Sequence, residues 1–284
     1  MSLTPLTPDV VPAPPYERVI VLDSVGSTNR YVKEALESGN ALERRSWGEL
    51  SVVATTDQQQ GRGRLDRVWT APANSALCLS VVIRPHANPA VRLPYSSFHW
   101  FTLLVALAAV QTLRELGVKA DIKWPNDILI NEKKCCGILS QLVAEDAEHF
   151  TVIAGIGMNL NMESAELPVE TATSVLAETG QRVDLSRALG LITENFARRY
   201  RAFAAGEGDV RRVQDSGVSL LDEIRQLTVT LGRDVVIHLP GEQKFRGTAI
   251  DMNEEGEIVV RDAAGTVRTF AVGDIVHVRP SEDV

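Results

Sequence analysis

Apolar and polar positions along the chain fall into two textures that change near Arg225. Before that point short apolar runs alternate with helical patterns. Val19–Leu22, Ser51–Thr55 and Leu77–Ile83 read as strands, the last alternating toward a buried one. Between the first two, Ser24 to Asn29 precedes a helix-like run to Glu37, with Ser27 or Thr28 suited to its N-cap. The pattern FHWFTLLVALAAVQTLREL, within Ser96 to Leu116, predicts a mostly buried helix closed by Gly117. Asp121–Trp124, Ile128–Ile130, Gly137–Ala144 and Phe150–Leu160 then read as strands separated by turn signals such as Asn131-Glu132-Lys133. Asp184 caps an amphipathic helix to about Phe203, and a further helical stretch is expected from Asp209. After Arg225, VTLGRDVVIHL, FRGTAIDMN, GEIVVRD, TVRTFAVGD and IVHVRP give five short strands with glycine turns, the pattern of a small barrel.

Runs of strands with helices between them, without a repeated βαβ unit, predict an α+β fold: a mixed sheet with helices on one side. Three segments follow: a flexible proline-rich tail over 1–17, a main domain over 18–226, and a barrel domain over 227–284. The tail assignment rests on prolines at 5, 8, 12, 14 and 15. With 284 residues the chain can bury one large core and a small second one. The most apolar stretch, Phe98 to Val110, is too short to cross a bilayer and contains His99 and Thr102, so no membrane partner is expected. The N-terminus lacks a basic start and an apolar run, and a cytoplasmic location follows as the expectation. From Thr228 onward ten acidic residues face six basic ones, which argues against a nucleic-acid partner.

Charge points to the candidate chemistry. The formal net charge is −8, yet GRGRLDRVW, Gly61 to Trp69, crowds Arg62, Arg64 and Arg67 between glycines. Cations gathered against the overall balance suit an anionic, phosphate-bearing ligand. The loop is neither a dinucleotide fingerprint, since Asp66 holds the third glycine position, nor a P-loop, since no GK[ST] follows. On residue chemistry alone a solvated basic turn also fits. The second segment, KWPND, breaks a strand at Pro125 and supplies Lys123, Asn126 and Asp127 at a strand-to-turn junction. Cys78, Cys135 and Cys136 have no CxxC spacing and read as buried hydrophobes; the Cys135-Cys136 pair beside Lys134 leaves a redox role as the alternative. The five histidines form no metal pattern.

Five segments in order carry a resemblance: Gly26-Ser27-Thr28-Asn29 with Gln58 downstream, GRGRxxRxW, KWPND, Lys134 to Leu139 as KxxGIL, and Gly155 to Asn161 as GxGxNxN. Together they resemble the biotin–protein ligases of the monofunctional class, with the small barrel in its expected C-terminal place. The departures are Asp66 in the arginine loop and the cysteine pair inside KxxGIL.

The resemblance implies a class II synthetase-like catalytic domain with an SH3-like C-terminal barrel. It also implies a two-step acylation, in which biotin is activated by ATP as biotinyl-5′-AMP with release of pyrophosphate and then passed to a lysine of a biotin carboxyl carrier domain of acyl-CoA or pyruvate carboxylases. Lys134 and Arg64 would be the catalytic groups. Ser27, Thr28, Asn29, Gln58, Gly61, Arg62 and Lys134 would hold biotin. Arg62, Arg64, Arg67, Trp69, Lys123, Asn126, Asp127 and Asn159 would hold the nucleotide. Magnesium would travel with ATP, without dedicated protein ligands and near Asp127. The arginine loop is expected to close over ligand, and the chain to act as a monomer or weak homodimer. A lipoate or octanoate ligase or transferase of the same fold is the alternative. A DNA-binding repressor role is not expected, because the catalytic pattern begins by Val19.

Overall fold

The structure, a computed structural model, describes residues 6–214, 216–239, 243–271 and 274–277. In chain order the elements are β1 (Tyr16–Leu22), α1 (Thr28–Ser38), α2 (Ala41–Arg45), β2 (Leu50–Thr55), β3 (Gly61–Arg62), β4 (Val68–Trp69) and β5 (Ala76–Ile83). Next come α3 (Trp100–Glu115), β6 (Asp121–Lys123), β7 (Asp127–Ile130), β8 (Lys133–Ala144), β9 (Phe150–Asn159), α4 (Val175–Thr179), α5 (Leu185–Ala205) and α6 (Leu220–Leu227). The last five are β10 (Asp234–His238), β11 (Lys244–Met252), β12 (Ile258–Arg261), β13 (Val267–Phe270) and β14 (Asp274–His277).

Seven strands form one mixed sheet in the order β1-β2-β5-β9-β8-β7-β6, with only β1 and β2 parallel. The central strands are buried on both faces, which is why β2 and β5 read as near-continuous apolar runs. Alternation divides their side chains. Leu77, Leu79, Val81 and Ile83 of β5, with Val152, Ala154, Ile156 and Met158 of β9, join the larger core with α3 and α5. Val53, Val82, Val143 and Ile153 turn the other way, onto Val32 and Leu36 of α1. The two long helices share one face, as the pattern suggests, but α1 covers the other. The smaller core fills only one end of that second face, because the strand positions beyond it carry small or polar side chains.

Helix α3 is apolar around nearly its whole circumference and is buried between the sheet and α5. Asp184 caps α5 through Oδ1, accepting from the amides of Ser186 and Arg187. The stretch after Asp209 is not helical. Its turns continue until Ser219 caps α6 by accepting from the Asp222 amide, so the helical signal there belongs to Leu220–Leu227 alone.

The tail expectation also changes. Of the residues over 1–17, the first five lie outside those described, and from Leu6 onward the chain carries structure. Pro8–Val10 form a 3-10 turn, Val11 is buried in the core, and Tyr16 begins β1 with its hydroxyl donating to the Thr193 carbonyl of α5 at 2.8 Å. Burial pushes the Tyr16 hydroxyl pKa well above its ordinary value, against a smaller opposing effect of Arg201, and so keeps it a donor. Prolines favour extended chain, but they do not decide whether a partner surface is present to hold it.

The C-terminal strands form an antiparallel sheet in the order β13-β12-β11-β10-β14, consistent with a small SH3-like domain; the end of the predicted last strand, from residue 278, lies outside the described residues. This sheet grips the KWPND turn. The Trp124 amide donates to Thr230 Oγ1 at 3.1 Å, and its indole Nε1 donates to the Gly256 carbonyl at 2.9 Å. Arg233 forms a two-pronged ion pair with Glu132. No described helix is long and apolar enough to cross a membrane.

Replacing Tyr16 by Phe is expected to lower unfolding free energy by about 1 kcal/mol, the usual net worth of one buried hydrogen bond. Urea titration with an unchanged slope would measure it, and no change would show that the start of the chain is not anchored through this contact.

Candidate active site

On the α1 side of the sheet, past the small core, the strands present almost no side chains. Gly155 and Gly157 of β9 face the same way, and Gly137 of β8 pairs with Gly157. A methyl at Gly157 would sit 2.4 Å from Cε2 of the Trp69 indole, and one at Gly155 would sit 2.2 Å from Asn29 Oδ1. Both glycines are required by close approach: the indole and the carboxamide lie directly on the sheet. Trp69 reaches it from β4, which pairs with β3 as a hairpin under the arginine loop.

The N-terminus of α1 forms one end of the site. Ser27 is its N-cap and accepts from the Arg30 amide at 3.4 Å, so the capping role foreseen for it coexists with a place in the cavity wall. Gln58 Oε1 accepts from the Thr28 amide at 3.0 Å and lies 3.3 Å from Thr28 Oγ1. Asn29 Nδ2 donates to the Leu139 carbonyl of β8 at 2.9 Å. Ser80, fully buried on β5, lies 2.6 Å from Asn29 Oδ1 and 2.7 Å from Thr28 Oγ1. These groups are neutral donors and acceptors.

The other end is charged. Lys134 projects from the start of β8, where the pairing with β7 is irregular and Cys135 is the residue passed over. Its backbone is stitched to the following loop, the Lys134 amide donating to Thr171 and the Thr173 amide donating to Lys134. Lys134 Nζ lies 2.6 Å from Asp127 Oδ1 and 5.9 Å from the Trp69 ring centre. Asn126 donates to the Ile138 carbonyl at 2.8 Å and accepts from Arg64 Nη1 at 3.3 Å, which ties the arginine loop to the KWPND turn. Leu65, between Arg64 and Asp66, has φ of 54° in the left-handed region, a conformation that costs a leucine about 1 kcal/mol or more.

These two ends belong to a single cavity of about 330 Å³. Of the residues expected from sequence, Ser27, Thr28, Asn29, Gln58, Arg62, Arg64, Arg67, Trp69, Asn126, Asp127, Lys134 and Asn159 line it. Gly61 and Lys123 do not. Gly61 lies within the hairpin, packed against Trp69 and Gln58, whereas Lys123 lies near His277, which burial and then Lys123 and Arg233 push down to about 4. Sequence reading gave no site role to Gly137, Gly155 and Gly157, to Ile138, Leu139 and Ile156, to Gly63, Val68 and Thr70 of the hairpin, or to the loop carrying Pro168, Val169, Thr171 and Ala172. It also missed Ser80 beneath the wall. The glycines had a signal in their alternation along a strand; the loop had none.

Asn161, the last residue of the GxGxNxN segment, bridges to Val183 through both its amide nitrogen and oxygen. The cysteines are free and buried, Cys135 donating to the Asn159 carbonyl. Burial pushes the Cys78 thiol, which lies beside Trp69, up to about 12, and burial beside Cys135 raises Cys136 as well, so these two thiols stay protonated. Among the described residues no group of three or more His, Cys, Asp or Glu is placed to hold a metal ion. At the charged end the oxygen donors are Asp127, Asn126 and Asn159, and Asn159 Oδ1 is buried with no hydrogen-bond partner among the described residues. One carboxylate with an unmet amide oxygen fits a magnesium ion that keeps most of its ligands from phosphates and water.

Comparison with known proteins gives a consistent picture. The profile of the biotin/lipoate A/B protein ligase family matches residues 21–159, and that of the biotin protein ligase C-terminal domain matches residues 230–278. The bifunctional ligase/repressor BirA of Bacillus spizizenii is 30% identical over 90% of this chain and 73% of its own length. The biotin–[acetyl-CoA-carboxylase] ligase of Mycobacterium tuberculosis is 28% identical over 93% of this chain and 90% of its own. A biotin protein ligase from Aquifex aeolicus, solved with biotin and ATP, shares the fold with a TM-score of 0.71 and 24% identity, over 93% of this chain and all of that one.

Replacing Gly157 by Ala should expel the Trp69 indole from the sheet. Trp47, Trp100 and Trp124 are almost wholly buried, so acrylamide quenching of tryptophan fluorescence reports Trp69 selectively. Quenching is expected to rise clearly in the variant, and an unchanged quenching constant would contradict the close packing.

Proposed function

The chain belongs to the biotin protein ligases of the biotin/lipoate A/B protein ligase family, and we propose that it joins biotin to a lysine of a biotin carboxyl carrier domain in two ATP-dependent steps. The observation that carries the reading is the division of one cavity into a neutral hydrogen-bonding end and a cationic end, bridged by a bare strand surface. Biotin has matching ends. Its ureido ring would meet Thr28, Asn29 and Gln58, and its carboxylate would reach Lys134.

A carboxylate is a poor electrophile until it carries a leaving group. In the first step the biotin carboxylate oxygen attacks the α-phosphorus of ATP, the bond to the β-phosphate oxygen breaks, and pyrophosphate departs. Two anions must be brought together, so the protein's contribution is cations and positioning. Lys134 balances charge on the carboxylate and the bridging oxygen, with Asp127 holding the ammonium in place. Arg62, Arg64 and Arg67 surround the phosphate end, and Trp69, flat on the sheet, offers its outer face to adenine. Asp127 and Asn159 would hold magnesium together with the ATP phosphates, and the ion supplies further neutralisation of phosphate charge. In the second step the acceptor lysine amine attacks the mixed anhydride, giving the amide and releasing AMP. Until then the arginine loop, latched by Arg64 to Asn126, shields the anhydride from water.

Purified protein with ATP, magnesium, labelled biotin and a biotin carboxyl carrier domain should place label on that domain, and labelled lipoate should not compete. Lipoate transfer in place of biotin would overturn the substrate. Replacing Lys134 by Ala should lower adenylate formation by about 10²–10³-fold, the size of losing one preorganised transition-state contact, with the melting temperature little changed. Near wild-type pyrophosphate release in that variant would remove Lys134 from the chemistry.

A further inference from the structure

We infer that Ser80 is a positioning residue that sets the direction of the Thr28 hydroxyl proton, making Thr28 an acceptor for an N–H of the bound cyclic urea. The inference rests on the biotin reading above and adds a residue to it.

Ser80 is fully buried in the middle of β5, directly opposite Gly155 of β9, which in turn lies opposite Leu139 of β8. Asn29 therefore spans three strands over the bare Gly155 position. Its Nδ2 donates to the Leu139 carbonyl, which fixes which end of the carboxamide is nitrogen. Asn29 Oδ1 then points at Ser80 Oγ from 2.6 Å and can only accept. Ser80 has one proton and two close oxygen neighbours. Spending that proton on Thr28 would leave the buried Asn29 oxygen unmet, at a cost of about 1–3 kcal/mol. The proton goes to Asn29, and the 2.7 Å contact with Thr28 must be one in which Thr28 donates to Ser80 Oγ.

The alternative acceptor for the Thr28 proton is Gln58 Oε1, which is farther away at 3.3 Å and already receives the Thr28 amide. Thr28, Ser80, Asn29 and the Leu139 carbonyl thus form one chain running in a single direction. At its open end Thr28 Oγ1 lines the cavity with its proton turned away, so its lone pairs face the ligand. An N–H satisfies them; a methylated nitrogen or a dithiolane sulfur does not. A hydroxyl free to rotate would accept or donate indifferently, whereas a fixed one rejects a group lacking the donor.

Calorimetric titration of wild type and Ser80→Ala with biotin, with biotin methylated on both ureido nitrogens, and with ATP separates the possibilities. Biotin affinity is expected to fall at least about tenfold in Ser80→Ala, with ATP affinity unchanged and the dimethylated compound bound equally by both proteins. Unchanged biotin affinity, or the same fold loss for biotin and its dimethylated form, overturns the inference. Should Ser80→Ala lose ATP binding or fail to fold, Ser80→Cys replaces it as a near-isosteric test. That weak donor is expected to give a partial loss of biotin affinity, and wild-type affinity would refute the role. If wild type binds no biotin, the functional reading fails instead, a result distinct from any of these.

Discussion

The site depends on a stretch of β-sheet without side chains. Where Gly155 and Gly157 face α1, a carboxamide and an indole come down onto the backbone, and a single methyl at either place would occupy the same space. Every other part of the cavity takes its position from that floor. Asn29 fixes the start of α1 against three strands, Trp69 fixes the hairpin beneath the arginine loop, and Lys134 stands beside Gly137 with its ammonium toward Asp127. A strand gains packing from side chains, so glycines here weaken β9 locally. That loss is offset by the large apolar core on the opposite face, where Ile156 and Met158 are buried against α3 and α5.

Electrostatics runs along the same surface. The chain is acidic overall, yet three arginines and a lysine converge on one cavity whose facing carboxylate is Asp127. Such a concentration suits ligands that bring their own negative charge, and the neutral network around Thr28 suits a ligand end that brings none. The C-terminal sheet contributes without lining the cavity. By holding Trp124 through Thr230 and Gly256 it fixes the turn that carries Asn126 and Asp127.

Much of this was legible from sequence because the pertinent signals are local. The strands of the large sheet, the buried helix near Ser96–Leu116 and the Asp184 cap follow from periodicity and capping chemistry. The arginine loop stood out against the net charge. What escaped depends on contacts between distant segments. Ser80 in an apolar strand looks like an ordinary strand residue until Asn29, fifty-one positions away, is laid over it. Residues 6–17 read as free chain because nothing local announces that α5 will receive Tyr16. Lys123 shares a motif with Asn126 and Asp127, but its side chain lies near His277, outside the cavity. The helix of α1 was read from its own pattern, but the expectation of helices on one side missed that it covers the other face, where Val32 and Leu36 serve a second, smaller core.

Exchange of labelled pyrophosphate into ATP, with magnesium and no acceptor domain present, tests most directly whether the cavity brings a carboxylate and the α-phosphate together. The account predicts exchange that depends on biotin and runs without any acceptor, because the mixed anhydride forms and reverses within the closed site. Acceptor labelling without biotin-dependent exchange, or exchange that proceeds equally in the absence of biotin, would contradict it.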